Sequence, residues 1–452
     1  MSKPSIPQGT RDFSPEVMSK RKLIFNTIES VYASFGFMPL ETPAIEHLST
    51  LTGKYGNEGD QLLYKILNNG DYLKGIDLDS EDSKTLLPKI SDKGLRYDLT
   101  VPLARYVVMN RHSIQFPFKR YQMQTVWRAD RPQKGRYREF WQFDADVLGS
   151  DSMLCEADFI RIYKFVFNKL GLGSYEIHIN HRKLLEAITH KADASPLFKS
   201  ITVAIDKTDK IGIEGVRNEL IKLGLNTSQV ETIQSLLIKK PLSKELLTEL
   251  ESKLSDIPLA KDAFEDLNSL LELCGEDASE IILNGNLARG LDYYTGCIFE
   301  VIPTSVKLGS ISGGGRYDDL TSVFGSKEKI HGIGISFGID RIYDVMDELN
   351  LFSNQVSNFT DVLFCPMDKD AIPYILNSAS SLRNSGLKVE IYPSPVKLKK
   401  QLDYANSKSI KWAIIIGDNE LKNNSVTIKN LITGNQERVT KESIANHLIA
   451  NH

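Results

Sequence analysis

The sequence predicts a mixed α/β and α+β protein of several domains: a strand-bearing core, a helical insertion, and a smaller α/β unit at the C-terminal end. Three observations carry this. The chain has 452 residues, and about 150 residues per domain suggests about three units. Between Phe118 and Gly149 two alternating, aromatic-rich runs flank a loop holding Pro132 and Gly135, which reads as a β-hairpin longer than a tight turn. After Ser353, the apolar runs "DVLFCPM", "KVEIYP" and "KWAIIIG" alternate with helical patterns, as expected of a largely parallel sheet.

Taken in order, "EVMSKRKLIFNTIESVYASFG" places Val17, Leu23, Ile24, Ile28 and Val31 near helical spacing. Ser14-Pro15 is positioned to cap its start, and Gly36 to stop it. Pro39 and Pro43 break any continuous helix in the segment that follows. Residues 68–92 are polar and acidic and read as a long loop or an excursion from the core. "GLRYDLTVPLARYVV" begins extended and continues as an apolar helix, and "MLCEADFIRIYKFVFNKLG" is a second good helix after the hairpin. From 183 to 280 the chain is rich in Leu, Lys and Glu at helical spacing and poor in aromatics, the expected helical insertion. "NLARGLDYYTGCIFEVIP" returns to strand character, and "HGIGISFGIDRIYDVMDEL" is a small-residue strand running into a helix. "SVTIKNLITGNQERVT" adds a hairpin around Thr433-Gly434.

Composition excludes several classes. Hydrophobic residues at 41% and charged residues at 25% describe a globular chain. No apolar run approaches the roughly 20 residues that span a bilayer, and the N-terminal "MSKPSIPQGTRDFSPEVMSKRK" has no apolar segment of the secretory kind. Cys155, Cys274, Cys297 and Cys365 lie far apart with no CxxC pair, so neither a protein-bound zinc nor a disulfide framework is expected. The expectation is a cytoplasmic protein with reduced thiols and no membrane partner. A net charge of -3 argues against a nonspecific nucleic-acid coat but leaves room for local basic patches.

One patch is pronounced. Lys119, Arg120, Arg128, Arg131, Lys134, Arg136 and Arg138 fall within twenty-one residues. Guanidinium is planar, permanently charged and bidentate toward phosphate. With Arg289 and Arg341 each beside glycines at a strand end, the set suggests a polyanion, most simply a nucleoside triphosphate. "GIGISFG" has GxGxxxG spacing, and no GxxxxGK[ST] occurs, so neither familiar helix-terminus phosphate loop is indicated. Asp98, Asp144 and Asp146 stand near apolar and aromatic residues. Such carboxylates either pair with the neighbouring arginines or recognise an ammonium or imidazole group. Tyr293 and Tyr294 would point to opposite faces of a strand, one to the core and one to a pocket.

In combination these motifs resemble the histidyl-tRNA synthetases of class II, over nearly the whole chain. "GFMPLETPAIE" is similar to the family's dimer-interface motif 1, "VWRADRPQKGRYREFWQ" to motif 2, and "GIGISFGIDRI" to motif 3. "LARGLDYYTG" resembles a signature of the histidine enzymes, "LRYDLTVPLARY" the amino-acid-binding strand, and the C-terminal unit the anticodon-binding domain. The resemblance implies an antiparallel-sheet catalytic core built from two stretches, residues 1–182 and residues 281–352. The insertion at 183–280 interrupts it, and an anticodon-binding domain at 358–452 follows. It implies a homodimer that uses L-histidine, ATP with Mg2+, and tRNA(His).

The roles implied for matching residues are specific. Arg128 would hold the α-phosphate and the reacting carboxylate, Arg341 and Arg136 the triphosphate, and Arg289 the charge developing at the α-phosphate, work done by a metal ion in other class II enzymes. Asp98 and Thr100 would bind the histidine amino group, Gln142 the carboxylate end, and Asp146 and Tyr294 the imidazole nitrogens with Tyr293 beside them. Arg131 and Gln133 would approach the tRNA acceptor end. Asp98 and Asp146 stand where many bacterial members carry Glu. The alternative is a catalytically inactive relative that regulates another enzyme or senses tRNA.

Overall fold

The computed structural model describes residues 3–53, 56–77, 82–290, 294–318, 324, 329–352 and 359–450. The chain divides into two compact units, Met1–Gln355 and Val356–His452. Among the described residues, no helix is long and apolar enough to cross a membrane.

A nine-stranded sheet organises the first unit. Its strands are β1 (Met38–Pro39), β2 (Phe118–Trp127), β3 (Glu139–Leu148), β4 (Tyr175–His181), β5 (Lys239–Pro241), β6 (Ile281–Asn284), β7 (Cys297–Pro303), β8 (Ser312–Tyr317) and β9 (Gly332–Gly338). In space they run β1-β2-β3-β9-β8-β7-β4-β6-β5. Adjacent strands are antiparallel except β1 with β2 and β4 with β6. The hairpin expected from the sequence is β2–β3, ten residues in each arm.

Strand alternation gives this sheet one apolar and one polar face. Phe143, Ala145 and Val147 of β3 and Ile335 and Phe337 of β9 are buried. Against them pack α1 (Pro15–Ser34) and α3 (Leu154–Leu170), with α2 (Thr100–Met109) between them in sequence. Ser14 accepts from Val17 N at 3.3 Å and Pro15 opens the first turn of α1, so the helix starts where the sequence placed its cap. Its inner stripe ends in Tyr32, whose ring lies 6.1 Å from Phe337 and whose hydroxyl donates to Phe143 O at 3.0 Å. Tyr163 of α3 meets Phe337 edge-on at 5.5 Å.

Residues 68–92, expected as a long loop or an excursion from the core, contain a helix at Ser83–Ile90. Asp82 Oδ1 accepts from Thr85 N at 2.8 Å, and Asp82 N donates to Thr85 Oγ1 at 3.1 Å. This reciprocal cap offsets the polar composition of the segment. The stretch 183–280 holds the helices Phe198–Ile205, Thr208–Lys222, Thr227–Leu236, Lys244–Lys253 and Pro258–Cys274. It also contributes β5, which extends the large sheet beside β6.

The second unit is a five-stranded sheet. Its strands are β10 (Val362–Pro366), β11 (Val389–Ile391), β12 (Trp412–Ile416), β13 (Ser425–Asn430) and β14 (Gln436–Thr440), ordered β11-β10-β12-β13-β14. The first three are parallel, and the last two form the expected hairpin. Both faces are buried, as helix-covered parallel strands require. Phe364, Ile414 and Ile416 pack on one side with Ile375 and Leu382, and Leu363, Cys365 and Ala413 on the other with Ala405 and Ile410.

Candidate active site

The polar face of the large sheet is a cleft with two adjoining lobes of about 500 and 660 Å³. Its floor follows from register. Gln142, Asp144 and Asp146 of β3 lie opposite Gly338, Ser336 and Gly334 of β9, and Gly334 and Ser336 lie opposite Gly315 and Gly313 of β8. Half of that surface therefore carries no side chain. The space above the glycines is taken by residues that need it: a Cβ at Gly334 would stand 2.0 Å from Asp146 Oδ1, and one at Gly313 2.5 Å from Arg289 Nη1. Larger residues there would displace the side chains that line the cleft.

Four arginines converge on one lobe. Arg128, just past β2, donates from Nε to Tyr97 O at 3.0 Å and stacks 4.3 Å from the Tyr97 ring centroid. Arg136 pairs with Asp130 at 2.8 Å. Arg289 pairs with Glu300 at 3.1 Å and donates to Ser310 Oγ at 3.0 Å. Arg341 opens helix α4 (Ile339–Glu348) and donates to Ser310 O at 2.7 Å and Gly135 O at 3.1 Å. Its pKa is lowered, first by burial and then by Arg289, Arg136 and Arg128. Mutual repulsion of this kind is relieved when an anion enters.

The other lobe shares Arg128, Arg136 and Arg289 with the first and adds Asp98, Asp144 and Asp146. Asp144 is pushed up to about 7 by burial, opposed by Arg120 and reinforced by Asp146, and its Oδ1 has no hydrogen-bond partner among the described residues. Asp146 is also raised by burial, against the pull of Arg120 and Tyr317. Arg120, fully buried, lies 2.6 Å from Asp146 Oδ2, and the Tyr317 hydroxyl donates to Oδ1. Asp98 caps α2 by accepting from Val101 N at 3.1 Å. Asp98 and Thr100 both line this lobe.

The model of the histidyl-tRNA synthetase family matches residues 9–342, and that of the anticodon binding domain matches residues 361–451. The chain belongs to the histidyl-tRNA synthetase family. It is 49% identical to a histidine–tRNA ligase of Cytophaga hutchinsonii across 99% of this chain and 100% of the relative, and 48% identical to one from Phocaeicola vulgatus across 98% of both. Among solved structures, a histidyl-tRNA synthetase from Nostoc sp. PCC 7120 superposes with a TM-score of 0.84 at 28% identity, covering 100% of both chains. The fold is thus that of histidyl-tRNA synthetases, with an anticodon-binding α/β domain after the sheet core.

Most residues expected at a histidyl-tRNA synthetase site meet here. Arg128, Arg136, Arg289, Arg341, Asp98, Thr100, Gln142, Asp146 and Tyr294 all line the cleft. Arg131 and Gln133 do not. They sit exposed on the loop joining β2 and β3, whose tip is closed by mutual backbone bonds between Gln133 and Arg136 of 3.0 and 2.9 Å. Gly135 turns that tip at φ 72°. Tyr293 lies outside the described residues. The basic patch disperses: Lys119 pairs with Asp158, Lys134 with Glu348, and Arg138 donates to Asp130 O. Of the seven cations, Arg128 and Arg136 line the cleft, so the concentration of charge in sequence is only partly a concentration at the site.

Arg120, Tyr317, Ser310 and Glu300 were not singled out for roles from the sequence. Arg120 was legible in principle. Hairpin pairing fixed at the loop (Trp127 with Glu139) carries Arg120 opposite Asp146 seven residues along.

Proposed function

We propose that this cleft activates L-histidine with ATP to histidyl-adenylate and pyrophosphate, then transfers histidine to the 3′-terminal adenosine of tRNA(His). The observation that carries this reading is the pairing of a four-arginine lobe with an adjoining carboxylate lobe, one suited to a triphosphate and the other to an amino acid with an ammonium and an imidazole.

In this reading ATP enters as its Mg2+ complex. Arg341 and Arg136 hold its triphosphate, and Arg128 brings the α-phosphate and the histidine carboxylate together. Asp98 and Thr100 take the α-amino group, Gln142 the carboxylate end, and Asp146 and Tyr294 the two imidazole nitrogens, with Tyr293 beside them. A carboxylate oxygen attacks the α-phosphorus in line, and the bond to the β-phosphate oxygen breaks with its electrons leaving on pyrophosphate. Arg289 meets the charge that develops. A ribose hydroxyl of the tRNA then attacks the acyl carbon and AMP departs, with Arg131 and Gln133 near the acceptor end. No covalent enzyme intermediate is needed, so catalysis is positioning plus preorganised charge. The reaction belongs in the cytoplasm, where tRNA is charged. The inactive-relative alternative is not favoured: whole-chain relatives at 44–49% identity carry the ligase name.

Histidine-dependent exchange between ATP and pyrophosphate tests activation, and tRNA charging tests transfer. A chain ending near residue 355 is expected to keep exchange and lose most charging. Lys397, Lys399 and Lys400 on the second unit are exposed and free to meet anticodon-arm phosphates, whereas Lys408 is tied to Glu390 at 3.1 Å. Absence of exchange in the full chain overturns the activity, and undiminished charging by the short chain overturns the role given to the second unit.

A C₂ homodimer through the motif 1 segment fits the same reading. There β1 forms an edge of the sheet, and Met38 and Ile45 are 53% and 50% exposed. Light scattering at micromolar concentration is expected to give twice the chain mass; a monomer only would refute it.

A further inference from the structure

We infer that Asn180 and Asn284 are positioning residues for Arg289, two buried amides that fix the backbone from which its guanidinium is offered to the cleft. The inference rests on the role proposed above for Arg289. That arginine lies on residues 285–290, a stretch with neither helix nor strand, and its side chain is 43% exposed. A guanidinium on irregular backbone is placed only as well as that backbone is held.

The hold comes from the sheet beneath. Glu176, His178 and Asn180 alternate onto one face of β4. Their register with β7, Asn180 opposite Ile298 and His178 opposite Glu300, puts them on the face that carries Gly313 and the cleft. Asn180 is fully buried. Its Nδ2 donates to the carbonyls of Leu287 at 2.8 Å and Gly285 at 3.3 Å, while its Oδ1 accepts from His181 N at 2.8 Å. Asn284 works from the other side: its Oδ1 accepts from Asn286 N at 3.0 Å, and its Nδ2 lies 3.1 Å from His178 Nδ1.

An amide nitrogen donates, so this ring nitrogen accepts and the imidazole proton sits on Nε2, which donates to Glu176 Oε2 at 2.6 Å. The turn from 284 to 287 is thereby gripped through both its carbonyls and its N–H. Leu287 and Ala288 point inward and Arg289 outward. Arg289 then reaches Glu300, the residue directly opposite His178 in the sheet. Strand, turn and catalytic cation form one connected unit.

The test is Asn180→Ala and Asn284→Ala, each made alone and together with Arg289→Ala, followed by single-turnover adenylate formation, exchange kinetics and thermal melting. Each single substitution is expected to slow adenylate formation about 10- to 100-fold, the scale of a small misplacement of a reacting group, with the KM for histidine and for ATP within about threefold. In the Arg289→Ala background the same substitutions are expected to cost less than about threefold, because the group they position is gone. Equal losses in both backgrounds, or a raised KM in place of a lowered rate, overturn the inference alone. An Arg289→Ala protein as fast as the parent overturns the proposed role of that arginine and this inference with it. Should Asn180→Ala fail to fold, Asn284→Ala decides by the same comparison.

Discussion

Arg289→Ala is expected to slow histidyl-adenylate formation about 10²- to 10³-fold, the usual cost of removing one preorganised charge aimed at a transition state, with little change in the binding of histidine or ATP. The position of the side chain is the reason. Its Nη1 is held by both Glu300 at 3.1 Å and Ser310 Oγ at 3.0 Å, above a glycine that leaves it room. Its placement is therefore set before substrate arrives, and no reorganisation is needed as charge builds on the α-phosphate. In the proposed mechanism Arg341 and Arg136 hold the triphosphate in the ground state, so Arg289 is expected to add most in the transition state. The substitution removes a side chain that is nearly half exposed, and the fold is expected to keep its melting temperature. Single-turnover rates within about threefold of the parent would place the developing charge elsewhere.

The difference between what sequence reveals and what it hides is visible in this cleft. Arg128 and Arg341 are legible as cleft residues because each sits in a local motif, at the end of a strand or the start of a helix, where a few adjacent residues determine conformation. The hairpin and the C-terminal α/β unit are legible for the same reason: their periodicity is local. The helix at Ser83–Ile90 is less so, since its cap is a single reciprocal pair inside a polar segment whose composition suggests a loop. The partner of Arg289 is hidden more deeply. Glu300 meets it only because β7 lies between β8 and β4, a topology no window of sequence contains. The scatter of the basic patch has a similar cause. Lys119, Lys134 and Arg138 are close to Arg128 in sequence but point to Asp158, Glu348 and the Asp130 carbonyl, groups supplied by elements distant in the chain or by the folded loop itself.

Asp146 shows how such a hidden partner changes an expectation. Read from sequence, it either pairs with an arginine or recognises imidazole. In the fold it lines the cleft while held by buried Arg120 at 2.6 Å and by the Tyr317 hydroxyl. The pairing orients the carboxylate and draws its pKa back toward the ionised form against burial. Asp146→Ala is therefore expected to do two things: raise the KM for histidine and destabilise the protein by about 3–5 kcal/mol, because Arg120 would be left as an unpaired buried charge. Asp146→Asn separates them. The amide keeps the shape and an acceptor for Arg120 but loses the charge-assisted bond to an imidazole N–H, worth about 1.5–3 kcal/mol. A rise of about 10- to 100-fold in the KM for histidine is expected, with that for ATP unchanged and a smaller loss of thermal stability than for Ala. Tyr294→Phe, which removes a neutral hydroxyl from the same lobe, is expected to raise the histidine KM less. Melting temperature and both KM values, measured on the same preparations, separate the two jobs. An Asp146→Asn protein that melts lower yet keeps the parental KM for histidine would make this carboxylate a partner of Arg120 alone, and would leave Asp144, which lines the same lobe and whose buried Oδ1 has no hydrogen-bond partner among the described residues, as the carboxylate that reads the imidazole.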